Sequence, residues 1–468
     1  MALVTINNYF KSSITFQFAQ TAASVPGVRF ISSTSNQYKT TIDGGTPSYS
    51  PISDVVEIPI NTPLNTFVSV EIEVLRGNSL DTILEFEVTG AGAISTSALN
   101  IGQSMPNLTK LKTSISTSLG DLTGNISDLP TGLTYLYYRG SISGLVTELP
   151  IGLTYLYARG TDTDFNLTGS FADFPSTIET IYFYRTGVVA SAGIGGNIGD
   201  LPTGVITVNG TFDQPATIDF DNLPSTIESI QLANGSQGNI TLTGSINNTP
   251  SNFVYLFISA PGTGSTCDLT GDVANLPNTV RYFYPGSFPT DTNTITGTIA
   301  NLPTSLSRIR LEGNNTLSGD IADMPSGAGI VSIFGNNTIS GNIQSYGGTP
   351  SYLQIEGNNT ISGDLGLIPN AFINLIIKGA ATINDFTYPA LSNVVNAGVA
   401  FDIEIVGNSS FTSAEIDNLL IHFDAFLPIT TSPGSNIAFN GIGAGSRTSA
   451  SDDAYNSLIS KNYNVILN

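Results

Sequence analysis

The chain has 468 residues, with 15 Lys and Arg against 36 Asp and Glu, a net charge of −21. That balance argues against nucleic acid as the main partner, since phosphate contact needs clustered Lys and Arg. Only 11% of residues are charged while 40% are hydrophobic, which excludes a disordered acidic tail. Cys267 is the single cysteine, so an internal disulfide is excluded and a buried or idle thiol is expected. The opening MALVTINNYFKSSITF has neither a basic n-region nor an apolar h-region, so no secretory signal is expected. No run of about 18 apolar residues occurs to span a membrane.

Residues 1 to 95 read as a small antiparallel β-domain. In SITFQFA, Ile14, Phe16 and Phe18 alternate with polar residues. In FVSVEIEVL, Val68, Val70, Ile72 and Val74 stand opposite Ser69, Glu71 and Glu73, and LEFEV repeats the pattern. Period-two alternation marks strands buried on one face, as in a sandwich or barrel. The Gly/Ala/Ser-rich TGAGAISTSALNIG marks a junction near residue 95.

From residue 96 to 410 one sentence recurs. Gly and Pro stand six apart at Gly124/Pro130, Gly144/Pro150, Gly169/Pro175 and Gly196/Pro202, with an apolar residue two after the glycine. The spacing returns at Gly244/Pro250, Gly271/Pro277, Gly297/Pro303, Gly319/Pro325 and Gly363/Pro369. Prolines from Pro106 to Pro389 recur every 19 to 27 residues. After each proline comes a short alternating run: LTYLYYRG, LTYLYARG, LSRIRLEG, FINLIIKG. Such runs predict one strand per repeat, with proline ending the strand. Successive repeats then set parallel strands side by side, since one repeat cannot bury its apolar face alone. Asparagines of GNNT are expected to bond to the backbone of adjacent turns as a ladder.

The segment NTLSGDI, Asn315 to Ile321, resembles the N-x-L-S-G-x-I segment of leucine-rich repeats, and LPTGLTYL resembles the proline-led start of short bacterial repeats. The period agrees with that family. Two departures stand out. LEGNN carries one residue more than L-x-x-N before Asn315, and QPATIDFDNLP has Ile218 in place of the motif glycine. The resemblance implies a mainly β solenoid with a parallel sheet, and recognition more than catalysis.

Residues 411 to 468 predict a helical cap, which an array needs to shield its last strand. FTSAEIDNLLIHFDAFLP carries a capping box, Thr412 with Glu415, and a staple, Phe411 with Ile416. Ile416, Leu419, Leu420, Phe423 and Leu427 share one helical face. A second helix starts near Ser449, with Tyr455, Leu458 and Ile459 inward, and NVILN closes as a last strand.

The inventory for chemistry is thin. His422 is the single histidine and lies on the polar stripe with Glu415 and Asn418. No His/Cys metal set exists and no phosphate loop appears. Acids at Thr161 to Phe165 and at Asp219 to Asn222 are the nearest candidates for paired carboxylates. No catalytic residue, cofactor or metal is therefore expected.

Aligning the strands gives a candidate binding face instead. Tyr137, Tyr157, Tyr182, Phe257 and Tyr284 form one column, and Tyr135, Tyr155, Tyr255 and Tyr282 another. Arg139 and Arg159 flank them, and Arg308 and Arg310 continue both columns. Alternation points both columns away from the core. Aromatics edged by arginine suit glycan or protein recognition, or stacking that stiffens the sheet. Ser229 and Gln231 interrupt the strip. Leucine-rich repeats together with few charges and a leading β-domain resemble appendages of tailed bacterial viruses, such as head fibres, capsid decoration proteins or tail fibres. That resemblance implies a location on the virion exterior, with the N-terminal domain anchored to a capsid or tail protein. It also implies host attachment through a surface glycan or protein, with a homo-oligomer allowed. A bacterial surface adhesin and a glycan-degrading appendage are the rival readings.

Overall fold

The protein was examined as a computed structural model that describes residues 13–20, 27–50, 52–60, 68–75, 80–89, 92–113, 121–160, 166–185, 193–212, 214–234, 238–259, 263–286, 288, 290–348, 351–362, 374–379, 402–407, 412–427, 436–440 and 446–467. Expectations placed on residues 161–165, Gly363/Pro369, Phe372, Pro389 and Phe411 lie outside these residues. The fold is mainly β, a long series of parallel strands resembling a leucine-rich-repeat solenoid. The chain divides into two compact units, Met1–Thr217 with Pro224–Ile240, and Ile218–Leu223 with Thr241–Asn468. The division falls at the repeat in which Ile218 replaces the motif glycine.

The first unit opens with antiparallel strands β1 (Ser13–Gln20), β2 (Gly27–Ile42), β3 (Ser48–Tyr49), β4 (Ser53–Pro59), β5 (Val68–Leu75), β6 (Ile83–Thr89) and β7 (Gly92–Ser97). β1 lies between β5 and β7. The start of β2 lies between β4 and β6, and its end pairs with β5 and β3. A register shift after Ile31 bends β2 so that one strand serves two sheets. The alternation seen in the sequence decides the inside: Ile14, Phe16, Phe18, Val68, Val70, Ile72 and Val74 are all buried. Phe30 stacks on Tyr38 and Phe86 at 4.9 and 5.1 Å.

Each of these two sheets starts one ladder of the repeats. β6 pairs in parallel with Lys110–Lys112, and β7 with Asp121–Asn125. Between them Ser97 caps helix α1 (Ala98–Ser104) by accepting the Asn100 N–H. The expected junction near residue 95 thus falls inside β7, a strand already paired with the first repeat.

One repeat shows the plan. Tyr135–Arg139 forms the predicted strand, Ile142–Leu145 a second, shorter one, and Val146–Glu148 a 3-10 turn. The second strand was not predicted, because its four residues carry too short a pattern to separate from a loop. Both strands pair in parallel with their counterparts in neighbouring repeats. Ile126, Val146, Phe171 and Ile198, the apolar residues of the motif, open the 3-10 turns and are buried. The motif proline follows that turn and precedes the strand, where the sequence placed it at the strand's end. Its carbonyl accepts the N–H three residues on, as in Pro150 from Leu153 at 3.0 Å. Gly144 shows why glycine recurs: its φ is +133°, and a Cβ there would lie 2.6 Å from Ile126 Cγ2.

In the second unit the parallel ladder runs through Arg308–Asp320, Ile330–Asn342, Tyr352–Gly357, Asn374–Gly379, Asp402–Gly407, Asn436–Asn440 and Asn464–Leu467. The asparagine ladder is present. Asn293, Asn315, Asn337 and Asn359 are buried, and their Oδ1 atoms accept the N–H of Leu269, Ile295, Leu317 and Ile339 at 2.7 to 3.0 Å. It uses the second asparagine of GNN, while Asn314, Asn336 and Asn358 are exposed. The extra residue is absorbed by a bulge at a positive-φ glycine. Gly335, at +123°, lies so close to Asn315 that a Cβ would fall 2.5 Å from its backbone nitrogen.

Helix α2 (Ser413–Phe426) has the predicted capping box and buries Ile416, Leu419, Leu420, Phe423 and the following Leu427. Asp417, also buried, accepts the Thr448 N–H at 2.8 Å and the hydroxyls of Thr448 and Ser451, tying α2 to the start of the next helix. That helix, α3 (Asp452–Ser460), follows a 3-10 turn and turns Ala454 and Leu458 inward. Ile459 is 46% exposed, contrary to the sequence reading, because the inward pair four residues apart leaves it one step off the stripe.

Candidate functional site

The outward columns are real, and they form two clusters, one within each unit. In the first unit Tyr135 faces Tyr155 and then Thr180, Tyr137 faces Tyr157 and Tyr182, and Arg139 faces Arg159 and Tyr184. The interruption begins one repeat earlier than the sequence suggested. Thr207 and Asn209 follow Thr180 and Tyr182, ahead of Ser229 and Gln231. Tyr184 was missed because it stands in the arginine column. Lys110 and Lys112 were missed because LTKLKT is too short to reveal a strand; they face Tyr135 and Tyr137.

The rings of this cluster stand upright against one another. Tyr135 and Tyr155 stack at 4.3 Å and 4°, Tyr137 and Tyr157 at 4.0 Å and 6°. Lys110 and Lys112 lie over the first ring of each column at 5.3 and 5.8 Å. Tyr182 and Tyr184 meet Tyr157 at a tilt, 5.9 and 5.7 Å away. All six tyrosines are half-buried. The stacked ring faces are therefore spent on each other, and ring edges and hydroxyls point outward. Burial raises the phenols of Tyr135, Tyr137 and Tyr155, and raises Tyr184 to about 12. These hydroxyls keep their protons.

The second cluster is locked from within. Tyr255 stacks on Tyr282 at 4.6 Å and Phe257 on Tyr284 at 5.3 Å. Arg308 lies over Tyr284 at 4.8 Å, and Arg310 donates to the Tyr284 hydroxyl at 2.7 Å. The Nε of Arg310 donates to Glu312 Oε1 at 2.8 Å, and its Nη2 pairs with the same oxygen. Behind them Asp291 is raised to about 7, first by burial and then by the neighbouring Glu312 carboxylate. The Asp291 pair escaped sequence reasoning, since its partner is 21 positions away. Aligning repeats on the ladder asparagines Asn293 and Asn315 would have brought the two acids to one corner. Burial foremost raises the neighbouring Cys267 thiol, which donates to Asn293 Oδ1 at 3.1 Å.

Other candidates have structural duties. Asp219 accepts the Asp221 N–H and the Asn222 amide, and Asp221 accepts the Ser245 N–H and the Asn248 amide, so both acids bind corners of the coil. His422 is half-buried on α2, and burial lowers its pKa. Among the described residues, no group of three or more His, Cys, Asp or Glu is placed to hold a metal, and no helix is long and apolar enough to cross a membrane.

No family model matches the chain, and no curated protein matches it. Among solved structures it is similar to the plant peptide hormone receptor RGFR1 in complex with RGF2, at 16% identity and a TM-score of 0.33. The match covers 68% of this chain and 64% of that one, so the chain spans less than two thirds of the receptor's length.

Proposed function

We propose that the protein is a non-enzymatic attachment protein on the exterior of a bacteriophage particle. In this reading the outward face of the repeats meets a glycan or protein of the host surface, and the N-terminal strands anchor the chain to a capsid or tail protein. One observation carries the recognition part: repeats hold six tyrosines, two lysines and two arginines in register on one sheet face. Such groups are costly to display without a partner. The anchor is supported by Tyr49, Ile52 and Val55, which are 60%, 53% and 46% exposed on and beside the short strands β3 and β4. Exposed apolar groups on edge strands are a ready surface for strand addition. Replacing Tyr137, Tyr157 and Tyr182 together with Ser should abolish binding to host cells while the circular dichroism stays native. Binding that survives the triple change would remove the face from the mechanism. Mass spectrometry of purified virions should find the chain in the particle; its absence there would favour a bacterial surface adhesin.

A further inference from the structure

The cations of this acidic chain are not spread evenly. On the five outer strands from Tyr135 to Asn234 there is no acid in any outward column. Asp128, Glu148, Asp173 and Asp200 sit in the 3-10 turns, away from those strands, while Glu179 and Glu228 are exposed one residue before Thr180 and Ser229, at the strand starts. Lys112, Arg139 and Arg159 stand on the outer face or at its start. Lys110 is already committed, 2.9 Å from Glu87 and 3.7 Å from Glu85; Glu87 pairs with Arg29 at 3.0 Å and faces Lys112 in register, so the face begins beside one carboxylate.

What the face presents is equally specific. The stacked pairs show no open ring face for a neutral sugar to lie on. They offer protonated hydroxyls at the outer ends of the stacked rings, each able to donate and to accept. Beside them runs a lane of small polar groups: Thr180, Thr207, Asn209, Thr211, Ser229 and Gln231. Asn209 and Gln231 share a hydrogen bond of 3.0 Å. Every side chain of this lane ends in a polar group, which suits hydroxyl-rich rings better than an apolar peptide side chain.

We propose that the outer face of the first unit binds a linear acidic polysaccharide, its carboxylates or sulfates held by Lys112 and Arg159 and its sugar hydroxyls by the tyrosine hydroxyls and the polar lane. This rests on the recognition reading above and names its ligand. Bonds to ionised partners are the strong ones, and anions add long-range attraction that salt weakens.

The test is a titration of the whole chain, at low and at physiological salt, with three probes of matched length: polygalacturonate, dextran sulfate and neutral dextran. At least one acidic probe should bind about tenfold or more tightly than dextran, and lose that advantage as salt rises. Which of the two binds identifies carboxylate or sulfate as the anion. A Lys112→Gln, Arg159→Gln double variant should weaken the acidic probe about tenfold, with an unchanged melting temperature. Equal binding of dextran and both acidic probes would sink the anionic ligand and leave a glycan-binding face standing. Single-stranded DNA binding as well as the polysaccharide would overturn it too, as would a double variant that binds like the parent. Binding of none of the probes ends the proposal, while the tyrosine variants on host cells still decide the attachment reading separately.

Discussion

The tyrosine ladder of the first unit and the asparagine ladder of the second hold neighbouring repeats together by opposite means. The tyrosines work from outside, half-buried, by ring-on-ring contact at 4.0 to 4.3 Å. The asparagines work from inside, fully buried, by hydrogen bonds to the backbone of neighbouring repeats. A buried amide is costly to lose because its removal strands both a donor and an acceptor. An outer ring is cheap to lose because water replaces it. A repeat held from inside therefore leaves its outer face unconstrained, and at the register of the tyrosine columns the second unit goes on to Ser332 and Gln354. Where stability and display use the same rings, as in the first unit, the face is less free to change.

The sharpest break in that contrast is Asn337→Ala. Its Oδ1 accepts the Leu317 N–H at 2.9 Å and its Nδ2 donates to the Glu356 carbonyl at 3.1 Å. The change removes both bonds and leaves the buried Leu317 N–H without its amide acceptor, at a cost of about 3 kcal/mol. Asn336→Ala, at the exposed neighbour, should stay within about 0.5 kcal/mol. Urea unfolding of the two variants measures the difference. Equal midpoints would mean that water or a shifted backbone repairs the ladder, and the inside-outside distinction would fail.

How much of this was legible depends on how locally each feature is written. The strand after each proline was readable, because Leu136, Leu156 and Ile181 alternate with outward residues over a run long enough to show period two. The columns followed directly, since register in a repeat array copies the sequence alignment. The ladder was readable in kind but not in position. Asn314 and Asn315 are chemically identical, and only the positive φ of Gly313 decides which one turns inward. The upright stacking of Tyr137 on Tyr157 was open as one of two readings, because χ angles are not written in spacing. The direct pairing of β6 and β7 with the first repeat was hidden by the change from antiparallel to parallel partners. Asp291 and Glu312 were hidden for a related reason: neither acid is unusual alone, and only the coil brings them together.

That pair sharpens the contrast from the electrostatic side. Asp291 binds its proton more tightly in the fold than in the unfolded chain, its pKa being raised from 3.8 to about 7. The sign follows from linkage: its contribution to stability is fully present below about pH 4 and is lost as pH rises through about 7. Asp291→Asn keeps a donor toward Glu312 and removes the titration. The variant should melt a few degrees higher than the parent at pH 8, with the gap closing toward pH 4. A gap of the same size at both pH values would show that the Asn packs better and that the titration of Asp291 is not involved. In the first unit no outward column from Tyr135 on carries an acid, so the same pH series on a Tyr157 variant should run parallel to the parent.

The smallest effect tests the outer ladder itself. Tyr157 stacks on Tyr137 and touches Tyr182 and Tyr184, three aromatic neighbours, as many as Tyr182 has. Aromatic pairs contribute about 0.5–1.5 kcal/mol beyond their area, and a double-mutant cycle on Tyr137 and Tyr157, each changed to Thr, should recover a coupling near 1 kcal/mol. The matching cycle on Tyr255 and Tyr282, tilted by 28° at 4.6 Å, should give less, because the rings overlap less. Arg308 faces Tyr282 in register but lies over the ring of Tyr284 in the neighbouring column, where Arg310 donates to the hydroxyl. If both cycles returned zero, the rings would be aligned by the backbone alone. The outer face could then change its tyrosines freely, and their presence would have to be explained by what they bind.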